Sequence, residues 1–130
     1  MKPEAAAQEA VSFRRAHGLA GNPLIGSITP LTPGRGLELL LKAMPGILLE
    51  FPQAQLVLVG EGPFREELVR LAYGLKIQDR VVITHPMKEA RVPLAVIDCV
   101  ADSSLINSAA DPEGLAQAIL ARLKERVPLK

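Results

Sequence analysis

Short apolar runs alternate with helical patterns along the chain. The runs lie at residues 24–28 (LIGSI), 55–59 (QLVLV) and 80–84 (RVVIT). The second run has no polar residue after its first, which is typical of a strand buried on both faces. Between the runs, apolar residues recur at the three-to-four-residue spacing of an amphipathic helix. Strands that alternate with helices in this way predict a parallel sheet with right-handed crossovers.

Two helices are predicted in the first half of the chain. Residues 4–17 are rich in alanine, and Gly18 follows them as a helix-ending residue. Residues 36–50 form a leucine-rich helical pattern that contains Pro45. Because proline lacks the amide hydrogen that a helix interior needs, Pro45 must kink this helix or divide it.

Two more helices are predicted in the second half. The first covers residues 63–73 and places Pro63 at its first position, where no amide hydrogen is needed. The second opens with Asp111 as N-cap and Pro112 at its first position. Its expected buried stripe consists of Leu115, Ile119, Leu120 and Leu123.

The segment between these two helices is less regular. Residues 92–96 fit a short helix or turn, residues 97–101 a fourth strand, and residues 105–107 one more short strand. The predicted fold class is therefore α/β, a three-layer Rossmann-like domain with a parallel sheet of four or five strands flanked by helices. Since the chain has 130 residues, we expect a single domain over residues 1–130.

The composition excludes several classes of function. Hydrophobic residues make up 48% of the chain but aromatic residues only 3%, so the core must be aliphatic. Lys and Arg number 15 against 14 Asp and Glu, and the net charge of +1 gives no broad field for nucleic acid or an anionic membrane. No stretch approaches the roughly 20 apolar residues of a membrane span, and the N-terminus lacks a signal-peptide core. We expect a cytoplasmic protein that binds no nucleic acid.

Residue types that often carry chemistry are scarce. Cys99 is the only cysteine, so no internal disulfide can form, and its apolar surroundings indicate a small buried hydrophobe. His17 and His85 are the only histidines, and they fit no metal site. His17 precedes a helix-ending glycine, whereas His85 follows a predicted strand and is either a loop histidine or a ligand contact. We therefore expect no metal and no cofactor.

Three loops are expected at the carboxyl edge of the sheet, where parallel sheets bind ligands. They are residues 29–36 (TPLTPGRG), 60–63 (GEGP) and 84–88 (THPMK). The first loop leads into a helix whose free amides favour an anion, and Arg35 adds a cation with a bidentate fork. A phosphate or diphosphate is the ligand that these features favour, although a plain strand-to-helix turn with an exposed arginine fits the same residues. GEGP is likewise either a tight turn into the next helix or a phosphate contact.

Five segments of the chain together resemble a known family. They are residues 25–43, 51–63, 75–82, 97–98 and 111–119. In sequence and spacing they resemble the C-terminal domain of glycosyltransferase family 4, which has the GT-B fold. The segment FPQAQLVLVGEGP at residues 51–63 is the most specific of them, and the likeness covers nearly all of residues 12–126.

The resemblance implies a function in sugar transfer. Members of this family move a sugar from a nucleotide-sugar donor to an acceptor and retain its anomeric configuration. Their C-terminal domain holds the donor and a separate N-terminal domain holds the acceptor, so these are the expected partners. The residues expected to contact the donor are Thr29, Arg35, Gly36, Gly60, Glu61, His85 and Met87. Glu61 also fits a first-turn charge that favours the dipole of the following helix.

The chain departs from the family pattern at two places. The family usually has glycine and arginine where this chain has Thr29 and Pro30, and lysine where it has Arg35, so one diphosphate-binding cation is lost and the other replaced. After Ser104 the family has a glycine-rich acidic loop with two glutamates separated by seven residues. No such pair lies between Ser104 and Asp111. The domain is therefore expected to be truncated, either as a decayed or partial copy or as an incomplete sequence.

Two hypotheses on function follow. In the first, the chain is the donor-binding part of a retaining glycosyltransferase and is inactive alone, because the acceptor domain and the glutamate pair are missing. In the second, it is a non-catalytic α/β module that binds a partner or associates with itself through a less covered sheet edge. A charge-assisted arginine contact contributes about 1.5–3 kcal/mol, whereas micromolar affinity needs about 8 kcal/mol, so donor binding is expected to be weak.

Overall fold

A parallel sheet forms the centre of the protein. The computed structural model describes residues 11–19, 23–86, 93, 97–109 and 111–126. Within them the strands are β1 (Leu24–Ile28), β2 (Gln55–Val59), β3 (Val81–Thr84) and β4 (Cys99–Val100). They lie in the order β3-β2-β1-β4, and each neighbouring pair is parallel. The predicted α/β class and the parallel sheet are thus confirmed.

Helices connect the strands and cover the sheet. They are α1 (Leu37–Glu50), α2 (Arg65–Gly74), α3 (Ser103–Asn107) and α4 (Pro112–Arg126), with a 3-10 turn at Gln78–Arg80. Residues 11–16 are also helical, in agreement with the predicted first helix, whose residues 4–10 lie outside the described residues. The predicted short helix or turn at residues 92–96 also lies outside them, apart from Pro93.

The core has two parts, one on each face of the sheet. Leu56 and Leu58 of β2 belong to a larger cluster that α1, α2 and α4 share, whereas Val57 and Val59 belong to a smaller cluster. The smaller cluster also contains Phe13, from the helical residues near the start of the described chain. All of β2 is buried, which confirms that both faces of this strand are covered.

The start of α4 follows the predicted capping pattern. The Gly114 amide donates a 2.7 Å hydrogen bond to Oδ1 of Asp111, so Asp111 is the N-cap, and Pro112 is the first helical residue. The predicted apolar stripe is buried at every position, namely Leu115, Ile119, Leu120 and Leu123. Local capping and periodicity therefore predict this helix correctly.

Two predictions for the segment before α4 are wrong. Residues 105–107 do not form a strand but lie in α3, where the Leu105 amide donates to Oδ1 of Asp102 at 2.9 Å. This carboxylate favours a helix start, and Leu105 and Ile106 are both buried on the same core, which neighbouring residues of a strand cannot achieve. The fourth strand is also shorter than predicted, since only Cys99–Val100 pairs with β1.

Pro45 does not divide α1, which runs from Leu37 to Glu50. The helix buries Leu41, Met44 and Ile47 around the proline. Burial of three large apolar side chains contributes about 5–9 kcal/mol, whereas a proline in a helix interior costs about 3 kcal/mol. Packing of the apolar face therefore outweighs the local preference of proline.

Asp98 joins β1 to β4 at the amino ends of these two strands. Its carboxylate accepts a 2.7 Å hydrogen bond from the Leu24 amide, and its own amide donates to the Leu24 carbonyl at 2.7 Å. Leu24 is fully buried, so no water molecule can replace the carboxylate as the acceptor of its amide hydrogen. Asp98 therefore has a structural role at the start of β1.

Backbone hydrogen bonds continue beyond the carboxyl ends of the strands. The Thr29 amide donates to the Val59 carbonyl at 3.1 Å, and the Gly60 amide donates to the Thr84 carbonyl at 2.9 Å. The loops that follow β1 and β2 are thereby held beside the end of β3. We refer to residues 29–36, 60–63 and 84–86 together as the carboxyl rim.

Leu31 joins the first loop of the carboxyl rim to the second. Its amide donates to the Glu61 carbonyl at 3.1 Å, and its own carbonyl accepts a 3.0 Å hydrogen bond from the Phe64 amide. Gly62 lies so close to this segment that a Cβ atom would collide with the Leu31 carbonyl oxygen. The glycine is thus required by the approach of two backbones, which supports the tight-turn interpretation of GEGP.

We expect Asp98→Ala to lower the free energy of unfolding by about 1–3 kcal/mol, because the Leu24 amide would lose its acceptor. Urea denaturation followed by circular dichroism measures the change. Asp79→Ala, at an exposed position of the 3-10 turn, is the control and should change the free energy of unfolding by less than about 0.5 kcal/mol. Equal effects of the two substitutions would contradict the role given to Asp98.

We expect Gly62→Ala to destabilise the protein by about 1–3 kcal/mol or more, since the added methyl group meets backbone instead of a mobile side chain. Gly74→Ala is the matched control. Gly74 ends α2 with open space at its Cβ position, so alanine there should be neutral or stabilise by up to about 1 kcal/mol. Thermal unfolding compares the two variants, and a fully tolerated Gly62→Ala would speak against the close approach of the loops.

Candidate functional site

A cleft of about 450 Å³ opens at the carboxyl rim, over the ends of β2 and β3. Its lining comes from the loop after β2, the first turn of α2 and the end of β3, and consists of Gly60, Glu61, Gly62, Arg65, Ile83, Thr84 and His85. This position fits the general rule that ligands bind outside the carboxyl ends of parallel strands. The fold thus brings together three of the residues predicted to contact a ligand, namely Gly60, Glu61 and His85.

Charged side chains of both signs line the cleft. Glu61 and Arg65 are exposed, and they form no ion pair with each other. Within the described part of the chain, no carboxylate forms an ion pair with Arg65 either. The charges of both side chains are therefore available to a ligand.

Arg65 is a cleft residue that the sequence pattern did not indicate. It is the first residue of α2, directly after the loop and Phe64. Because helical side chains tilt towards the N-terminus, a first-turn side chain of α2 projects at the carboxyl rim. A charged residue just after a loop at the carboxyl edge is therefore the signal that could have identified it.

The end of β3 forms the third side of the cleft. Thr84 is buried, and its hydroxyl donates a 3.1 Å hydrogen bond to the His85 carbonyl, so this side chain is engaged with its own backbone. Ile83 is half-buried and His85 is exposed. Met87, which was predicted to contact the donor, lies outside the described residues. The side of the cleft formed by β3 thus presents an apolar side chain and an imidazole.

The first loop retains the features predicted for an anion site. Arg35 is exposed, and its Nε donates to the Thr32 hydroxyl at 3.3 Å. Gly36 is the N-cap of α1 with a left-handed φ of 74°, and no side chain caps the helix. The partial positive charge of the helix start is thus not offset by a capping side chain, although Glu38 places a carboxylate in the first turn.

Helix α3 covers the helix start from the side of β4. Gly36 lies so close to Ile106 that a Cβ atom on the glycine would collide with Cγ2 of the isoleucine. Ile106 is itself buried in the larger core cluster. The carboxyl rim is therefore filled on the side of α3 and open over β2 and β3, where the cleft lies.

The remaining predicted residues lie beside the cleft. Thr29 is half-buried, and its hydroxyl donates a 3.4 Å hydrogen bond to the Pro30 carbonyl. Pro30 is exposed and has no amide hydrogen to offer a ligand. Thr29, Arg35 and Gly36 belong to the loop next to the cleft and are not part of its lining. The fold therefore separates the predicted residues into a cleft and a neighbouring cationic loop.

The described residues give no indication of a metal centre or a bilayer-spanning element. Across residues 11–19, 23–86, 93, 97–109 and 111–126, no three His, Cys, Asp or Glu side chains are grouped so that they could hold a metal ion. In the same ranges, no helix combines the length and the apolar character that crossing a bilayer requires. Cys99 is buried and not in a disulfide, as its apolar surroundings indicated.

A protein-family model matches most of the chain. The family model described as glycosyl transferases group 1 matches residues 12–123. A GDP-mannose-dependent alpha-(1-6)-phosphatidylinositol monomannoside mannosyltransferase of Mycobacterium tuberculosis is 30% identical over 131 residues, which cover 98% of this chain and 34% of that protein. The protein of the same name from Mycolicibacterium smegmatis is 31% identical over 81 residues, 62% of this chain and 21% of the relative. The chain therefore spans about a third or less of the length of these curated relatives.

Solved structures share the fold. Anabaena HepE in complex with UDP-glucose superposes with a TM-score of 0.75 at 17% identity, over 96% of this chain and 44% of that one. A glycosyltransferase from Rickettsia africae gives a TM-score of 0.74 at 15% identity, over 95% of this chain and 42% of that one. With identities this low, these structures establish the common architecture and nothing finer. Because the family model covers residues 12–123, the chain belongs to the glycosyl transferases group 1 family, and its α/β architecture matches part of the solved GT-B structures.

Proposed function

We propose that this chain forms the donor-binding part of a glycosyltransferase, which transfers a sugar from a nucleotide-sugar to an acceptor and retains its anomeric configuration. The observation that carries the proposal is the open cleft at the carboxyl rim beside a loop with an exposed arginine. The names of the mannosyltransferase relatives support sugar transfer, and HepE complexes contain UDP or UDP-glucose.

The two parts of the carboxyl rim suit the two ends of a nucleoside diphosphate. The nucleoside would occupy the cleft over β2 and β3, and the diphosphate would lie at the loop after β1. Two strand spacings, about 10 Å, separate the ends of β1 and β3, so one extended ligand can span both. Arg35 and the uncapped start of α1 supply positive charge at the diphosphate end.

The affinity of the chain alone for a donor should be low. Arg35 is exposed, so solvent screens its contact with a phosphate and limits that contact to about 1 kcal/mol. Micromolar binding requires about 8 kcal/mol, and Pro30 offers no further donor to the diphosphate. We therefore expect dissociation constants in the millimolar range for nucleoside diphosphates.

Sugar transfer would require parts of an enzyme beyond this donor site. We propose that residues 1–130 are a truncated donor domain and that a separate N-terminal domain binds the acceptor. The mannosyltransferase relatives are about three times as long as the segment they share with this chain, which leaves room for such a domain in them. On this proposal, the donor site supplies binding and orientation of the nucleotide but no turnover.

A second candidate function is self-association without catalysis, and one observation favours it. In the described part of the chain, β3 is the last strand on its side of the sheet. Its residues Val81, Val82 and Ile83 are only half-buried, whereas all of β2 is buried. An apolar edge strand can pair with the same strand of a second copy. Light scattering at high protein concentration tests this function: a dimer favours it, and a monomer contradicts it.

We expect GDP and UDP to shift the amide resonances of Arg35, Gly60 and His85 in a ¹⁵N-edited NMR titration. Arg35→Gln should weaken diphosphate binding about fivefold, the order of one screened charge contact. Lys42→Gln is the matched control, because Lys42 is an exposed cation of α1 in the groove that faces α4, away from the carboxyl rim. An equal loss of affinity in both variants would mean that only the net charge of the protein matters.

We expect the pure 130-residue chain to show no transfer of sugar from GDP-mannose or UDP-glucose, because the proposed acceptor domain is absent. A coupled assay that detects free GDP or UDP, run for several hours at a millimolar concentration of the nucleotide-sugar, measures this activity with high sensitivity. A boiled sample and a donor-free sample are the controls. Steady turnover that scales with protein concentration would refute the division between donor and acceptor domains.

A further inference from the structure

Glu61 and Arg65 place one hydrogen-bond acceptor group and one donor group in the lining of the cleft. A guanidinium only donates hydrogen bonds, and an ionised carboxylate only accepts them. Both side chains line the same cleft, and no ion pair between them satisfies either group. A ligand that binds both side chains at once, in place of water, presents adjacent acceptors to Arg65 and adjacent donors to Glu61.

Guanine carries this pattern. Its O6 and N7 atoms are neighbouring acceptors that arginine binds with two parallel hydrogen bonds. Its N1–H and exocyclic 2-amino groups are neighbouring donors, which match the two oxygens of a carboxylate. Uracil has a single ring N–H between two carbonyl groups, so a carboxylate that accepts from it also faces two acceptors. Adenine has an amino group where guanine has O6, and that group would face the guanidinium as a second donor.

On the basis of the proposed function, we propose that the cleft selects guanine, so that the donor is a GDP-sugar. Glu61 accepts hydrogen bonds from the N1–H and 2-amino groups of the base, and Arg65 donates to O6 and N7. The names of the relatives and of the structural neighbours differ in the base, GDP in one group and UDP in the other. The choice here therefore depends on the side chains of this cleft.

The rest of the cleft suits a planar ring. Its volume of about 450 Å³ falls in the range typical of small-molecule sites, about 300–1,000 Å³. Ile83 and His85 offer an apolar and an aromatic surface against which a base can lie. Gly60 and Gly62 contribute only backbone to the lining, because neither residue has a side chain.

The test compares nucleotides that differ by one hydrogen-bonding group. Wild-type protein is titrated with GDP, UDP and inosine diphosphate, which is GDP without the 2-amino group, and binding is followed by ¹⁵N-edited NMR. We expect GDP to bind about tenfold more tightly than UDP, the lower part of the range for bidentate base contacts because the side chains are exposed. Inosine diphosphate should bind three- to fivefold more weakly than GDP, at roughly the strength of one lost hydrogen bond.

Variants then assign each contact. Glu61→Gln should abolish the preference for GDP over inosine diphosphate. Arg65→Gln should lower the affinity for GDP about fivefold and leave the affinity for UDP unchanged. The matched controls are Glu67→Gln and Arg70→Gln on the same helix, whose charges pair with each other at 3.2 Å on the exposed surface. Neither control should change the ratio of GDP to UDP affinity.

Each contrary result has a separate meaning. Equal affinity for GDP and UDP, or a preference for UDP, overturns guanine selection and leaves the donor-site proposal standing. An equal loss of GDP and UDP binding in Arg65→Gln also overturns it, because the arginine then acts on the phosphates or through net charge. Absence of binding by every nucleotide at millimolar concentration overturns the proposed function itself, and guanine selection with it.

Discussion

Backbone hydrogen bonds at the carboxyl ends of the strands are the constraint on which the site depends. Leu31 donates to the second loop and accepts from the residue before α2, while the Gly60 amide reaches the end of β3. These contacts are all between backbone atoms, so they hold the loops in place without the help of side chains. The position of the cleft therefore depends on main-chain contacts between these loops and the end of β3.

Local signals predicted the regular elements well. The uninterrupted apolar run predicted that β2 is buried on both faces. The Asp-Pro pair predicted the start of α4, because the Asp111 carboxylate caps that helix. The segment at residues 105–107 was predicted wrongly, because its helical form follows from contact with the core and from the Asp102 cap. Arg65 was not predicted, although its position just after the second loop indicates the carboxyl edge; the folded rim shows that the start of α2 also lies beside the end of β3.

Membership of the family and the chemistry of this chain are separate questions. The family is evident from residues 12–123, and the sheet order agrees with its fold. The first loop, by contrast, has a proline where the family pattern has a cation, and its remaining arginine is screened by water. Under the proposed function, recognition of the donor would therefore depend less on the diphosphate end of the rim and more on the cleft, where Glu61 and Arg65 lie.

The contact between Gly36 and Ile106 links two distant parts of the sequence. Because the isoleucine side chain lies where a Cβ of Gly36 would be, the amino end of α1 and the segment between β4 and α4 occupy a shared space. A bulkier residue in place of Gly36 would therefore require Ile106 to move. The packing at the start of α1 thus depends on a residue seventy positions further along the polypeptide.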